Sequence, residues 1–320
     1  MKPIFILVAL LIGIPLGYLG ISNGLAAQRE AATLRAYPAE GVFVSVDGAK
    51  VHAVIEGSGP NVVLIHGAGG NARDFTFSFS SALADRGYRV IAFDRPGFGH
   101  SDAIAEDPSS LALQAERLVK AAEGLGADKP IVLGHSLGGA VAMAWVTEHP
   151  ENIAGLLALS GVSHTWPGDT AWLYRSTNSF WGRVFMVPGL AAFISQDYIA
   201  SVISGAYAPQ RAPEGYAAHV GAGLTIRRQS LKVNAAERVA LKPNVEAMVS
   251  AYSAISVPVI AIHGDADMTV SDQLHSIPLA QTVQNGEYIN LPGIGHMPHH
   301  TNESDIIEGI ERLAKRAGLK

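Results

Sequence analysis

The residue of this chain best suited to nucleophilic chemistry is Ser136, the centre of the pentapeptide GHSLG. An apolar run precedes the pentapeptide and an alanine-rich helical segment follows it, a pattern that predicts a strand, a very sharp turn and a helix. Gly134 and Gly138 lack a Cβ, so strand and helix can approach closely and hold the serine in a strained backbone conformation with its hydroxyl exposed. The stretch 130–141 therefore predicts a serine nucleophile.

A serine hydroxyl is a weak nucleophile at neutral pH and needs a base in contact with it. Among the twelve histidines, His296 lies in a glycine-flanked loop beyond the last predicted strand, from which its side chain can reach over the carboxyl edge of a sheet. The nearby His299 and His300 could join it in a metal site, but no carboxylate pattern or zincin motif accompanies them. We therefore predict His296 as the general base and expect no metal or other cofactor.

The base in turn needs a carboxylate that fixes its tautomer and stabilises the imidazolium. Asp265 and Asp267 both follow the apolar run 259–262. The chain order serine, aspartate, histidine suits either of them. The residues alone leave both aspartates open as the acid.

Apolar segments alternate along the chain as a parallel sheet covered by helices requires. An Asp-Gly hairpin at 47–48 opens the predicted sheet, and strands follow at 62–65, 90–93, 131–133, 153–160, 258–262 and 287–291. The alternation of predicted strands and helices stops between 161 and 257, where aromatic and apolar residues have irregular helical spacing. We predict an α/β core over residues 41–160 and 258–320, interrupted by a helical cap over residues 161–257.

The composition excludes several classes of function. The chain has 320 residues, of which 48% are hydrophobic and 16% charged, enough for a sizeable core. A formal net charge of -5 without a Lys/Arg cluster argues against a nucleic-acid partner. The absence of cysteine excludes disulfides, thiolate metal sites and a cysteine nucleophile.

The N-terminal segment predicts attachment to a membrane. Residues 3–21 carry no charged side chain and follow Lys2, so they have the length of a membrane span and the charged start of an export signal. The length favours a signal anchor over residues 1–27, with the catalytic domain outside the cytoplasm. The alternative is a signal peptide cut near 24–27, which would give a secreted or periplasmic protein. Residues 28–40 are predicted to form a short helical linker.

Four motifs in register make the chain resemble the α/β-hydrolase superfamily, in its cap-bearing branch of serine esterases, lipases and C–C bond hydrolases. They are His66–Gly69, Asp94–Gly99, Gly134–Gly138, and His263–Asp267 together with Gly295-His296. The resemblance implies a mostly parallel eight-stranded sheet with helices on both faces and an inserted helical cap. The N-terminal hydrophobic helix would lie outside this fold.

The resemblance also implies roles for individual residues. It prefers Asp267 over Asp265 as the acid. It makes Ala68, which follows His-Gly, the second oxyanion donor beside the amide of Leu137. The loop 94–99 would be structural. Haloalkane dehalogenases and epoxide hydrolases carry aspartate where this chain has Ser136, so their alkyl-enzyme chemistry is not expected.

The predicted activity is hydrolysis of a carboxylic ester through an acyl-enzyme on Ser136, with His296 activating water for deacylation. We expect a small-molecule substrate with an apolar portion held under the aromatic-rich cap, and contact with the membrane through the N-terminal segment. The same three residues would serve hydrolysis of a C–C bond, a lactone or an amide. A non-catalytic binding protein of the same fold is a further alternative.

Overall fold

The computed structural model describes residues 2–320, apart from the side chains of residues 2–5, 8 and 9, and is built around one eight-stranded sheet. The strands are β1 (Val42–Val46), β2 (Ala49–Gly57), β3 (Asn61–Ile65), β4 (Arg89–Phe93), β5 (Ile131–His135), β6 (Gly155–Leu159), β7 (Val259–Gly264) and β8 (Gly286–Leu291). Their order in space is β1-β2-β4-β3-β5-β6-β7-β8. Only the β1–β2 and β2–β4 pairs are antiparallel, so the predicted mostly parallel sheet is confirmed.

Local sequence explains both the opening hairpin and the buried centre of the sheet. Asp47 and Gly48 have φ angles of 51° and 80°, and a tight two-residue hairpin turn of this kind needs positive φ at both positions. β5 and β6 are buried along their whole length. Strands covered on both faces need no polar alternation, which is why these segments are continuous apolar runs.

The α-helices, in chain order, are α1 (Lys2–Ala36), α2 (Arg73–Thr76), α3 (Phe79–Asp85), α4 (Leu111–Gly124), α5 (Leu137–Glu148), α6 (Trp172–Asn178), α7 (Val187–Phe193), α8 (Gln196–Gly205), α9 (Tyr216–Val220), α10 (Ala222–Thr225), α11 (Arg228–Met248), α12 (Ser276–Thr282), α13 (Pro298–Thr301) and α14 (Glu303–Arg316). One face of the sheet packs on α4, α5 and α12, and the other on α3 and α14. Successive residues of β3 point to opposite faces of the sheet. Val63 packs on the side of α4, α5 and α12, and Val62 packs on the side of α3 and α14. The predicted helices on both faces are therefore present.

The chain leaves the sheet after β6 and returns at β7. The segment between them, here called the insertion (residues 161–257), contains α6 to α11 and a π-helical turn at Gly182–Met186 that leads into α7. A fully buried ion pair joins the insertion to the sheet: the Arg95 guanidinium lies 2.6 Å from Glu237 on α11. Arg95 also donates to the carbonyl oxygen of His66 and to Gln114. These additional bonds are what a buried pair needs to offset the cost of desolvation.

The predicted N-terminal apolar helix is present as α1, and it lies outside the sheet. Residues 28–40, predicted as a short helical linker, are helical as far as Ala36 and continue α1 without a break. Arg29 donates to the backbone oxygens of Ala192 and Ile194, both at 2.6 Å, and Glu30 pairs with Arg228 at 2.7 Å. These polar side chains find partners on the insertion, so the second half of α1 is docked rather than free.

Candidate active site

Ser136 lies at the turn between β5 and α5, with φ 55° and ψ -123°. A non-glycine residue in this region costs on the order of 1–3 kcal/mol and persists only where its surroundings hold it. The Ser136 backbone is held on both sides: its amide donates to Leu159 at 3.1 Å and its carbonyl oxygen accepts from Val162 at 3.0 Å. A Cβ on Gly134 would collide with the backbone of Gly138. The glycine of the motif thus permits the close approach of strand and helix.

The structure brings Ser136, His296 and Asp267 together from the loops after β5, β8 and β7. His296 Nε2 lies 2.9 Å from Ser136 Oγ, and His296 Nδ1 lies 2.6 Å from Asp267 Oδ2. A carboxylate only accepts hydrogen bonds, so His296 carries its proton on Nδ1. The lone pair on Nε2 is then free to accept the proton of the serine hydroxyl.

Asp267 is held in its ionised form by several donors. Its Oδ1 accepts from the amides of Thr269 and Val270, at 2.7 and 3.0 Å. Its Oδ2 accepts from His263 Nε2 at 3.1 Å as well as from His296. Burial alone would raise the pKa of Asp267, but the hydrogen bonds from His263 and His296 outweigh it and hold that pKa well below its usual range.

His263 is a site residue that sequence reasoning missed. It is fully buried in β7, with Nε2 beside Asp267 and Nδ1 2.7 Å from Ser276 Oγ. Its Nε2 also lies 2.9 Å from the carbonyl oxygen of Val270, and a carbonyl oxygen can only accept, so Nε2 carries the proton. The sequence placed it first in the motif His263–Asp267, four residues before the aspartate, but gave it no role.

The structure separates the two candidate aspartates. Asp265 is exposed, and its carboxylate accepts from the Gly293 amide at 2.6 Å and from Asn290 at 3.3 Å. It thus caps the turn that follows β8, whereas Asp267 faces His296. Of the two aspartates, Asp267 is therefore the one that contacts His296.

The two predicted oxyanion donors flank Ser136. Leu137 is the first residue of α5. Ala68 lies in the turn after β3, next to Gly67, where an added Cβ would come 3.0 Å from the Cβ of Ser136. Within residues 2–320, neither the Ala68 amide nor the Leu137 amide donates a hydrogen bond to a protein acceptor. Both N–H groups are therefore available to a bound ligand.

A cavity of about 340 Å³ opens beside Ser136. Asp267 and the insertion form much of its wall, which includes Trp166, Tyr174, Arg238 and Leu241. The Arg238 guanidinium lies over the Tyr174 ring, 5.1 Å from its centroid. In the described part of the chain no carboxylate pairs with Arg238. The cavity thus combines apolar side chains of the insertion with one cation, Arg238, and two carboxylates, Asp169 and Asp267.

A second buried group of titratable residues lies next to these three. We call it the Asp74 cluster: Asp74, His135, His299, His300 and Tyr216. Asp74 Oδ1 accepts from Tyr216 Oη at 2.6 Å, from His300 Nε2 at 3.0 Å and from His299 Nε2 at 3.2 Å. His135 Nε2 donates to the carbonyl oxygen of His296 at 2.8 Å. His299 and His300 therefore contact Asp74, whereas the sequence suggested at most a grouping with His296.

The electrostatics of the Asp74 cluster are dominated by burial. Burial alone would raise the pKa of Asp74, but the interactions with His299 and His300 hold it well below its usual range. Burial lowers the pKa of His299 to about 4 and lowers that of His135 well below its ordinary value. Asp74, His135 and His299 offer ligand atoms within 4.8 Å of one another, and they are the residues here that could hold a metal ion.

Comparisons with known proteins agree with this fold. The family model described as alpha/beta hydrolase fold matches residues 60–303. A 2-hydroxy-6-oxononadienedioate/2-hydroxy-6-oxononatrienedioate hydrolase of Klebsiella pneumoniae is 37% identical over 142 residues, which cover 42% of this chain and only 46% of that relative. Lipase 3 of a Moraxella species is 26% identical over 82% of this chain and 79% of its own length.

A solved structure supports the same assignment. An esterase from Thermogutta terrifontis has a TM-score of 0.68 and 19% identity, over 87% of this chain and 99% of the esterase. At this identity the likeness concerns the fold, but the family match covers most of the chain and its relatives are hydrolases. The chain therefore belongs to the α/β-hydrolase family of enzymes, which confirms the resemblance carried by its four motifs.

Proposed function

We propose that this chain is a serine hydrolase that cleaves a carboxylic ester through an acyl-enzyme on Ser136. The observation that carries the proposal is the hydrogen-bonded series from Asp267 through His296 to Ser136, with distances of 2.6 and 2.9 Å. The series ends on a hydroxyl at the wall of a cavity. A serine in contact with a base that a buried carboxylate orients is the arrangement that activates a hydroxyl as a nucleophile.

In the proposed reaction, the Ser136 oxygen attacks the acyl carbon while His296 Nε2 takes the hydroxyl proton. Negative charge moves to the carbonyl oxygen, where the amides of Ala68 and Leu137 would stabilise it. Collapse of the tetrahedral intermediate expels the alcohol, which receives the proton from His296. Water then gives a proton to His296 and attacks the acyl carbon, and the carboxylic acid leaves as the Ser136 hydroxyl is restored.

An ester with an apolar portion fits the cavity. Trp166, Tyr174 and Leu241 of the insertion supply apolar wall to the cavity that Ser136 also lines. Apolar walls with few polar groups are typical of small-molecule sites. The similarity to a lipase over 79% of that protein's length points in the same direction.

A second candidate is hydrolysis of a C–C bond in a substrate that carries a carboxylate. The observation that favours it is Arg238, a cation that lines the Ser136 cavity and has no carboxylate partner within the described residues. Such a group binds a substrate carboxylate well. The Klebsiella relative is named for a dioate substrate, although the match spans less than half of that protein.

We also propose that α1 attaches the enzyme to a membrane. Its segment Leu10–Ala36 is long and apolar enough to cross a bilayer, and only 11% of its most apolar window is buried. Ser22 and Ala26 are fully buried, so cleavage near residues 24–27 would remove packed surface. Recovery in the membrane fraction with an intact N-terminus would support the anchor, and a soluble protein starting near Ala26 would refute it.

The test of the proposed activity uses the detergent-purified full chain. It is incubated with a fluorophosphonate probe, which labels activated serines, and with a series of p-nitrophenyl esters. Ser136→Ala is expected to lose both labelling and turnover, whereas Ser271→Ala, a serine of the same cavity, should keep both. Ester turnover by Ser136→Ala at the wild-type rate would refute the mechanism.

The variant Arg238→Gln distinguishes hydrolysis of an ester from hydrolysis of a C–C bond. For neutral esters we expect KM and kcat close to the wild type. For a carboxylate-bearing vinylogous diketone, loss of the cation should raise KM by about tenfold, in line with one charge-assisted interaction. Turnover of the diketone but of no ester by the wild type would favour C–C hydrolysis.

A further inference from the structure

An exposed group of aromatic side chains lies where α1 meets the insertion. We call it the aromatic patch: Tyr18, Trp172, Phe180, Trp181 and Phe185. Trp172, Phe180 and Trp181 are 67%, 71% and 66% exposed. The Trp181 ring centroid lies 5.0 Å from that of Phe180 and 5.8 Å from that of Phe185. Large aromatic rings exposed side by side are typical of an interaction surface.

The patch is joined directly to α1. The Tyr18 ring stacks on Phe185 with centroids 6.4 Å apart, and its hydroxyl donates to the Phe185 backbone oxygen at 2.8 Å. Gly189 allows this close packing, since an added Cβ would collide with the Tyr18 hydroxyl. On the N-terminal side of Tyr18, the apolar side chains of α1 are bare: Leu10, Leu11, Ile12, Ile14 and Leu16 are more than half exposed.

The dimensions of α1 place the patch at the level of a bilayer surface. The apolar run from residue 3 to residue 21, which ends at the polar pair Ser22 and Asn23, would measure about 28 Å as a helix, close to the thickness of the hydrocarbon core. Tyr18 is near one end of this stretch, and Arg29, the first charged residue after it, lies a further three turns away. Tryptophan and tyrosine are the residues enriched at this depth. Two exposed arginines add cations suited to lipid phosphates: Arg175, which lines the groove with Trp172 and lies 3.7 Å from Asp169, and Arg183, two residues after Trp181.

α6 connects the patch to the Ser136 cavity. Its outer side lines a surface groove of about 510 Å³ with Trp172 and Arg175, and Trp181 and Phe185 form another part of the same groove. From the same helix, Tyr174 lines the cavity that contains Ser136. One short helix therefore separates the groove at the patch from the nucleophile.

We propose that the aromatic patch lies in the headgroup region of a bilayer and that the Ser136 cavity takes its substrate, an amphiphilic ester dissolved in that bilayer, past α6. The proposed contact of the patch with the bilayer is supported by the patch and α1 and does not depend on the reaction. The substrate part rests on the proposed ester hydrolysis. The occupant of the patch is thus a lipid surface, continuous with the membrane that α1 would cross.

Docking is tested with the full chain reconstituted in vesicles of phosphatidylcholine and phosphatidylglycerol. Part of the lipid is brominated near the headgroup end of its acyl chains and quenches nearby tryptophans. We expect quenching of the wild type and loss of most of it in the double variant Trp172→Phe/Trp181→Phe. Of the two tryptophans that remain, Trp145 is fully buried and Trp166 lines the Ser136 cavity instead of the patch. Equal quenching of wild type and double variant would overturn docking through the patch.

The substrate part is tested by comparing two esters, one long-chain ester dissolved in the vesicles and one short soluble p-nitrophenyl ester. Phe180→Ser/Trp181→Ser is expected to lower kcat/KM for the vesicle ester by about tenfold and to leave the soluble ester unchanged, since the loss affects only membrane contact. The matched control is Phe193→Ser: Phe193 is 58% exposed but lies at the end of α7 beside the Arg29 contacts.

The outcomes separate this inference from the proposed function. No turnover of either ester by the wild type would refute ester hydrolysis, while the quenching result would still decide docking. Equal losses in Phe193→Ser, or equal losses on both esters, would overturn the entry route. A dimer in detergent that the patch variant dissociates would assign the patch to a second copy of the chain and overturn the lipid assignment.

Discussion

Two buried aspartate–histidine groups lie side by side in this enzyme, and the one around Asp267 lines the Ser136 cavity. The ring of His135, in the Asp74 cluster, has its centroid 4.9 Å from that of His296 and 4.7 Å from that of His299. In both groups interactions with histidines hold the aspartate pKa well below its usual range. Each aspartate is therefore stabilised as a carboxylate by histidine N–H groups. The two groups differ in what the histidines contact besides the aspartate.

The group around Asp267 ends on a hydroxyl that a ligand can touch. His296 uses both ring nitrogens, one for Asp267 and one for Ser136. In the Asp74 cluster, the Nδ1 atoms of His135 and His299 are buried and have no hydrogen-bond partner within the described chain. Under the proposed function, Asp267 and His296 act in catalysis because they reach a hydroxyl that a substrate can touch, whereas the Asp74 cluster, buried in the interior, holds structure.

The Asp74 cluster fixes the parts that the site needs. Asp74 follows the turn that contains Ala68, Tyr216 belongs to the insertion, and His299 follows the loop of His296. His135 immediately precedes Ser136 and donates to the backbone of His296. One buried carboxylate therefore ties together the segments that carry the proposed nucleophile, base and oxyanion donor.

The largest expected difference between the two groups is in turnover. Asp267→Asn would replace the acceptor of the His296 proton by an amide and favour the wrong tautomer, so kcat for the ester should fall by about 10⁴-fold. Asp265→Asn, in the same motif but in contact with the β8 turn, should stay within about threefold of the wild type. Steady-state kinetics compares kcat of the two variants. Equal losses of kcat would contradict the assignment of Asp267 as the carboxylate that orients His296.

A smaller difference is expected in the dependence of stability on pH. The folded pKa of His299 is about 4, below the unfolded value, so the unfolded state binds the proton first. The contribution of His299 to stability is therefore complete above about pH 6.5 and is lost as the pH falls toward 4, by on the order of 3 kcal/mol. Urea unfolding at about pH 7 and about pH 4.5 should show a smaller loss for His299→Gln, which cannot titrate.

Other titratable groups face His299, so the experiment is interpreted only between about pH 7 and about pH 4.5. They are Asp74, His135, His296 and His300. The pKa of Asp74 is held well below its usual value. The contribution of its carboxylate to stability is therefore lost only as the pH falls below about 4, the ordinary pKa of an aspartate. Identical loss of stability in wild type and His299→Gln between these two pH values would contradict a neutral, buried His299.

Asp74→Asn should act on stability more than on turnover. The amide can accept from Tyr216 but offers a weaker acceptor to the two histidines, so the free energy of unfolding should fall by about 1–3 kcal/mol. We expect kcat to stay within about tenfold, because Asp74 touches no reacting atom. Paired urea titrations and ester kinetics test this. A loss of kcat as large as that of Asp267→Asn would place Asp74 in the catalytic machinery.

The smallest expected effect is that of metal removal. His299 Nε2 and His300 Nε2 already donate to Asp74, so a cation would have to displace these protons and enter a sealed site. Treatment with a chelator should leave the ester turnover and the melting temperature unchanged. A stoichiometric metal in the purified protein, lost together with stability in Asp74→Asn, would show that the cluster is a metal site.

The sequence predicts the group around Ser136 far better than its neighbour. Ser136 and His296 sit in short glycine-bounded motifs whose spacing follows from the strand-to-helix geometry. The Asp74 cluster has no such signal, because Asp74 and His299 are 225 residues apart and meet only through the fold. The continuation of α1 past residue 28 was also not predicted, since its partners Ala192 and Arg228 lie on a distant segment.

The point where α1 joins the molecule has a consequence for the Ser136 cavity. The helix is fastened to the insertion by Arg29 and Glu30, while only the short chain from Ala36 to β1 links it covalently to the sheet. α1 is therefore fastened to the same segment that several contacts tie to the core, among them Arg95–Glu237 and Tyr216–Asp74. The helix proposed to enter the membrane thus contacts the same segment that supplies part of the wall of the Ser136 cavity.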